Sequence, residues 1–196
     1  YLASLEAEGV SVEKLAERGA VLLLGAGGAA RSIAASLMDR AIPIVIANRT
    51  QDRATALVDS LRAAWTTEMA DVPPALSSLA LSSLALSSLA WDEWPRRLGD
   101  VSLVVNTTSL GMKGGPDPLW RPDFSAATTD LIVSDIVYVP RETAFLKEAA
   151  ARGLQTVEGL GMLLHQARPG FRSWFGVEAD VDSATLEHVR AVLTAR

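Results

Sequence analysis

Apolar residues along this chain fall into two patterns, short unbroken runs and longer stretches where they return every three or four positions. Ala20-Val21-Leu22-Leu23-Leu24 is an unbroken run that ends in glycines, the pattern of a strand buried on both faces. Directly after the glycines, Ala30, Ile33, Ala34, Leu37 and Met38 recur at helical spacing, so a helix is predicted there. Ile42 to Ala47 is a second strand candidate, with Pro43 near its start, where no ladder donor is needed. Gln51 to Leu61 predicts a helix with Ala54, Leu57, Val58 and Leu61 on one face. Val101 to Val105, Leu131 to Ile136 and Gln155 to Val157 are further strand candidates. Thr143 to Arg152 predicts a helix stopped by Gly153, and two more helices are expected around Met162 to Arg168 and Ser183 to Leu193. This alternation predicts an α/β fold, a doubly wound, Rossmann-like parallel sheet with flanking helices and a C-terminal helical segment.

One stretch breaks the pattern. Leu-Ser-Ser-Leu-Ala occurs three times in tandem from Leu76 to Ala90. Its leucines advance by three, then two, which neither gathers them on a helical face nor alternates them along a strand. Residues 75–90 are therefore read as a low-complexity insertion in a surface connection. Trp65, Trp91 and Trp94 flank it. Residues 1–158 are read as one nucleotide-binding domain and residues 159–196 as the helical segment.

Composition narrows the class. Hydrophobic residues make up 49% of the 196 and charged residues 21%, the balance of a globular domain. A formal net charge of −5 argues against nucleic acid as a partner. No apolar run approaches the roughly 18 residues of a membrane helix, so no membrane span is expected. With no cysteine and only His165 and His188, neither a disulfide nor a metal site is predicted, which fits a cytoplasmic protein. The chain opens on Tyr1, carries no signal-peptide pattern, and is read as part of a longer protein.

The strongest chemical signal is Gly25-Ala26-Gly27-Gly28-Ala29-Ala30, which satisfies G-x-G-x-x-A between the first strand and its helix. Gly25 suits the tight turn, Gly27 lets backbone approach a pyrophosphate, and Ala30 keeps the helix close to the sheet. The helix start then offers unpaired N–H groups and partial positive charge to phosphates. An NAD site usually ends its second strand in Asp or Glu; here that place holds Asn48-Arg49-Thr50, with Arg53 three residues on. A guanidinium can fork onto a 2′-phosphate and Thr50 can add a hydroxyl, so NADP(H) is the expected cofactor. Asp52 is read as a cap in the first helical turn. Asn106, Thr107 and Thr108 leave another strand end, where their amide and hydroxyls can meet a cofactor.

These residues resemble the shikimate dehydrogenase family. The resemblance runs through Gly25 to Ala29, Asn48-Arg49-Thr50 with Arg53, and Asn106 to Met112. It continues through Asp135-Ile136-Val137-Tyr138 with Pro140 and Thr143, and closes on Gly159, Met162, Leu163, Gln166 and Ala167. It implies hydride transfer from NADPH to 3-dehydroshikimate, giving shikimate, and the reverse. It further implies that Ile136 and Gly159 lie at the nicotinamide end and that Tyr138 and Gln166 contact substrate. The family's proton donor is a lysine partnered by an aspartate from a preceding substrate domain. Of the three lysines here, Lys14, Lys113 and Lys147, none sits in that context, and Lys113 is read as a solvated loop residue. The chain is therefore expected to hold no catalytic residue, to be inactive alone, and to pack residues 159–196 towards that missing domain. Two other readings stay open, a quinate/shikimate dehydrogenase with relaxed choice and a non-catalytic dinucleotide-binding module.

Overall fold

The computed structural model describes residues 1–68 and 85–194. Six strands form one parallel sheet in the order β3-β2-β1-β4-β5-β6. They are β1 (Ala20–Leu24), β2 (Ile44–Asn48), β3 (Leu86–Ala90), β4 (Val101–Asn106), β5 (Ile132–Asp135) and β6 (Gln155–Val157). Helices α1 (Leu2–Ala7) and α2 (Glu13–Arg18) precede the sheet; α3 (Gly28–Met38) and α4 (Gln51–Glu68) cross over between its strands. Then come α5 (Ala144–Ala151), α6 (Gly159–Phe175) and α7 (Ser183–Thr194). The order of strands reverses at β1, which places the crevice between β1 and β4 at their carboxyl ends.

The central strands are apolar throughout because both faces are covered. Val21, Leu23, Ile44, Ile46, Leu103 and Val105 pack with α3 and α4 on one side. Leu22, Leu24, Val45, Ala47 and Val104 pack with Trp94, Phe124 and Phe145 on the other. Pro43 lies just outside β2, and its carbonyl accepts from Val21 N at 2.8 Å.

Against expectation, part of the repeat is sheet and not surface connection. The third copy, Leu86–Ala90, is an edge strand paired in register with β2, from Ile44↔Leu86 to Asn48↔Ala90. The physical reason is the side-chain period of two: leucines three apart in a strand point to opposite faces. Leu86 is buried with the α3/α4 core, and Leu89 packs against the other. Both faces want an apolar residue, so absence of alternation favours a strand here. The Arg62 guanidinium also donates to the Leu86 carbonyl. The two upstream copies, Leu76 to Ala85, lie outside the described residues except for Ala85.

Two helices outrun their expected lengths. α4 continues from Leu61 to Glu68, and α6 runs through Pro169 to Phe175. Beyond Pro169 it carries Phe171, Trp174 and Phe175, all exposed. α7 is pinned to the start of α6 by Arg190, whose Nε donates to Glu158 at 2.8 Å, while Arg141 pairs with the other carboxylate oxygen. Among the described residues, no helix is long and apolar enough to cross a membrane, and no group of acidic or histidine residues could hold a metal ion.

Candidate functional site

β1 delivers the glycine turn to the carboxyl edge of the sheet. Gly25 has φ +115°, and a Cβ there would stand 2.7 Å from Thr107 Oγ1. Glycine is thus required twice over, by the backbone and by the close approach of the β4 end. Gly27 and Gly28 differ: a Cβ on either would meet nothing within 4 Å. No side chain caps α3 at Gly27. The helix start therefore opens onto free space with N–H groups available to an anion, which fits a pyrophosphate.

The end of β2 lies beside it. Asn48 Nδ2 donates to Thr50 O at 2.8 Å, bending the chain so that Arg49, Thr50 and Arg53 come round to the same opening. These residues line a cleft of about 450 Å³ together with Gly25, Ala26, Gly27, Thr107, Thr108, Trp91 and Trp120. Asp52 is exposed in the first turn of α4 and is not part of that lining.

A second cleft, about 310 Å³, continues from the first. Thr108 and Ser109 are common to both walls, and Met112, Lys113 and Ile136 to Val139 complete the second. Lys113 is exposed, and its backbone N–H is tied to Val139 O at 3.0 Å. Gly159, the first residue of α6, presses on this segment: a Cβ would lie 2.5 Å from the Ile136 carbonyl carbon and oxygen. Gln166 is exposed further along α6 and belongs to neither wall.

Between the clefts lies a buried polar knot that the motifs did not reveal. Asp135, at the end of β5, accepts from Asn106 Nδ2 at 3.0 Å, Val137 N at 2.9 Å and Thr143 Oγ1 at 2.7 Å. No cation is among these partners. Burial pushes its carboxyl up from 3.8 to about 6, against the opposing pull of those three donors. Asn106 also donates to Leu110 O at 3.0 Å and accepts from both Thr108 N and Thr108 Oγ1. This exhausts its amide. Asn106, expected to meet the cofactor, is fully buried, lines neither cleft, and shapes the Thr108 loop. The Thr107 hydroxyl is likewise engaged, donating to Leu24 O at 2.8 Å, although Thr107 does reach the first cleft.

Comparison with known proteins agrees with this geometry. Residues 10–89 match the family model described as shikimate / quinate 5-dehydrogenase, and residues 159–184 match the shikimate 5′-dehydrogenase C-terminal domain. The chain belongs to the shikimate dehydrogenase family. It is 45% identical over 186 residues to the NADP(+) shikimate dehydrogenase of Gluconobacter oxydans, covering 95% of this chain and 59% of that one. To the NADP(+) enzyme of Rhodospirillum rubrum it is 49% identical over 170 residues, 86% of this chain and 53% of that one. Among solved structures, shikimate 5-dehydrogenase from Listeria monocytogenes, in complex with shikimate and NAD, superposes with a TM-score of 0.74 at 25% identity, over 98% of this chain and 60% of that one. This family member thus spans between 53% and 60% of the length of these three relatives.

Trp91 and Trp120 were missed because nothing in their sequence setting marks a cleft. Trp91 follows a strand concealed in the repeat, and Trp120 lies in a loop after Gly115-Pro116.

Proposed function

We propose that this chain is the cofactor-binding portion of an NADP-dependent shikimate dehydrogenase, reducing 3-dehydroshikimate to shikimate and the reverse. One observation carries the cofactor choice: Arg49, Thr50 and Arg53 converge on the cleft at the end of β2, where a carboxylate would repel a 2′-phosphate. Gly25 to Ala29 hold the pyrophosphate, and Thr108 lies between the two halves of the dinucleotide. When bound, the nicotinamide supplies or accepts hydride.

The second cleft is the place for the nicotinamide end and the substrate. Ile136, backed by Gly159, lines it, and so does Tyr138, 41% exposed. Gln166 would reach substrate from α6 once a second domain closes the cleft. The exposed Phe171, Trp174 and Phe175 give residues 159–196 an apolar face for that domain. The proton donor, a lysine with its aspartate, comes from that domain too, which leaves these 196 residues competent to bind cofactor and unable to turn over. A cysteine-free chain suits work in the cytoplasm. The family description extends to quinate, which makes a quinate-accepting enzyme the second reading.

Calorimetric titration with NADP+ and NAD+ tests the cofactor assignment. The expected result is at least tenfold tighter NADP+ binding, about 1.4 kcal/mol. Equal affinities would sink it. Shikimate oxidation, absent from the chain alone and present when it is joined to a substrate domain, tests the division of labour. General acid catalysis typically contributes roughly 10²- to 10⁴-fold, enough to separate the two.

A further inference from the structure

The pairing of β3 with β2 ends at Asn48↔Ala90, so the next residues along the two strands, Arg49 and Trp91, leave the sheet side by side. Both line the same cleft. Trp91 is the outer member of a column of rings. Fully buried Phe145 stacks on Trp120 with centroids 5.1 Å apart and planes 6° apart. Trp120 in turn stacks on Trp91 at 6.1 Å and 29°, and Trp94 braces both, 6.2 Å from Trp91 and 6.1 Å from Trp120. Trp94 is itself buried, whereas Trp91 and Trp120 are each half-buried and reach the cleft. The column thus begins in the core and ends at the wall of a binding site. Its position beside Arg49 matters chemically. In an adenosine 2′-phosphate, base and phosphate sit on adjacent carbons of one ribose, so a group fixed at Arg49 brings the purine within reach of the neighbouring indoles.

We propose that Trp91, backed by Trp120, forms the platform for the adenine ring. The inference rests on the cofactor reading above and deepens it. Indoles offer a broad π-face that a purine covers without any specific hydrogen bond, and Trp91 is held in place by its neighbours before the ligand arrives. The edge strand that the third Leu-Ser-Ser-Leu-Ala copy supplies would then have a binding role, namely to aim Trp91.

Calorimetry with adenosine 2′,5′-bisphosphate, carried out on the chain and its variants, tests this. Nicotinamide mononucleotide serves as the probe for the other half of the site. Trp91→Leu should weaken the bisphosphate about tenfold, the scale of one base–aromatic stack, and leave mononucleotide binding unchanged. Trp91→Phe keeps a ring and should recover most of the loss. Bisphosphate should quench tryptophan emission in the wild type and do so much less in Trp91→Leu, a signature that a merely structural role would not produce. Trp120→Leu should act in the same direction, but Trp120 packs on Phe145, so the decisive variant is Trp91→Leu. If the wild type binds bisphosphate and Trp91→Leu binds it equally well, the platform is overturned while the cofactor reading stands. If the wild type binds neither bisphosphate nor NADP+, both readings fall.

Discussion

Asn106 Nδ2 donates to Asp135 Oδ1 at 3.0 Å, joining the carboxyl ends of β4 and β5 beneath the loop that separates the two clefts. The carboxylate has only neutral donors around it, from Asn106, Val137 and Thr143. Its charge is solvated by hydrogen bonds alone, and burial makes that an expensive arrangement.

Stability should therefore depend on pH with a definite sign. Folding raises the Asp135 pKa from 3.8 to about 6, so the folded state holds the proton more tightly than the unfolded one. The stability this group contributes is fully present below about pH 3.8 and lost as pH rises through about 6, roughly 3 kcal/mol in all. Asp135→Asn can keep the network, its oxygen accepting from Asn106 and Val137 and its amide donating to Thr143 Oγ1. Urea unfolding at pH values from 4 to 7 should show the variant gaining on the wild type as pH rises. A constant gap across that range would show that Asp135 does not titrate in it.

Arg49→Ala should erase most of the preference for NADP+ over NAD+, at least tenfold, and leave NAD+ affinity nearly unchanged. The measurement is a pair of calorimetric titrations on each protein. A loss for both cofactors alike would mean that Arg49 acts on the pyrophosphate or on the fold.

Gly159→Ala should destabilise the chain by about 2 kcal/mol, because the new methyl meets the Ile136 backbone at 2.5 Å and has no flexible side chain to displace. Thermal melting reads the loss. An unchanged melting temperature would show that α6 can slide away from β5.

Lys113 lines the second cleft, so its exclusion as proton donor needs its own test. In the protein joined to a substrate domain, Lys113→Ala should change kcat less than tenfold. A fall of 10² or more, or turnover by the chain alone that this change abolishes, would make Lys113 the acid.

Deleting Leu76 to Ala85, two full repeats, should move the melting temperature little, since loop closure varies slowly with length. Leu86→Ser should instead cost about 2–4 kcal/mol, because Leu86 is 2% exposed within the core. Equal damage from both changes would refute the distinction between the copies.

Much of the site was legible wherever local chemistry and backbone geometry coincide. Gly25 is such a case, since the turn and the approach of Thr107 both demand glycine. Arg49, Thr50 and Arg53 are another, because a strand end fixes where they emerge. β3 was not legible: as an edge strand it needs only Leu86 and Leu89 on opposite faces and backbone pairing to β2, and backbone pairing leaves no mark on composition. The roles of Asn106 and Asp135 were hidden for a related reason. Their motifs show polar residues at strand ends, but only the packed structure shows that these side chains bond to each other and leave the cleft to Thr108. α6 passes Pro169 because one missing N–H and a local clash are outweighed over a helix running from Gly159 to Phe175.

The identity of the three copies has a genetic corollary. Loss of any one of them, or gain of a fourth, yields the same polypeptide whichever unit is involved, and Trp91 always keeps an intact Leu-Ser-Ser-Leu-Ala before it. Gain or loss of one whole unit, fifteen nucleotides, therefore leaves every residue from the strand onward in frame and in register with β2. Length variation between strains of the source organism would then be neutral for the sheet, because the unit that pairs is always the one adjoining Trp91.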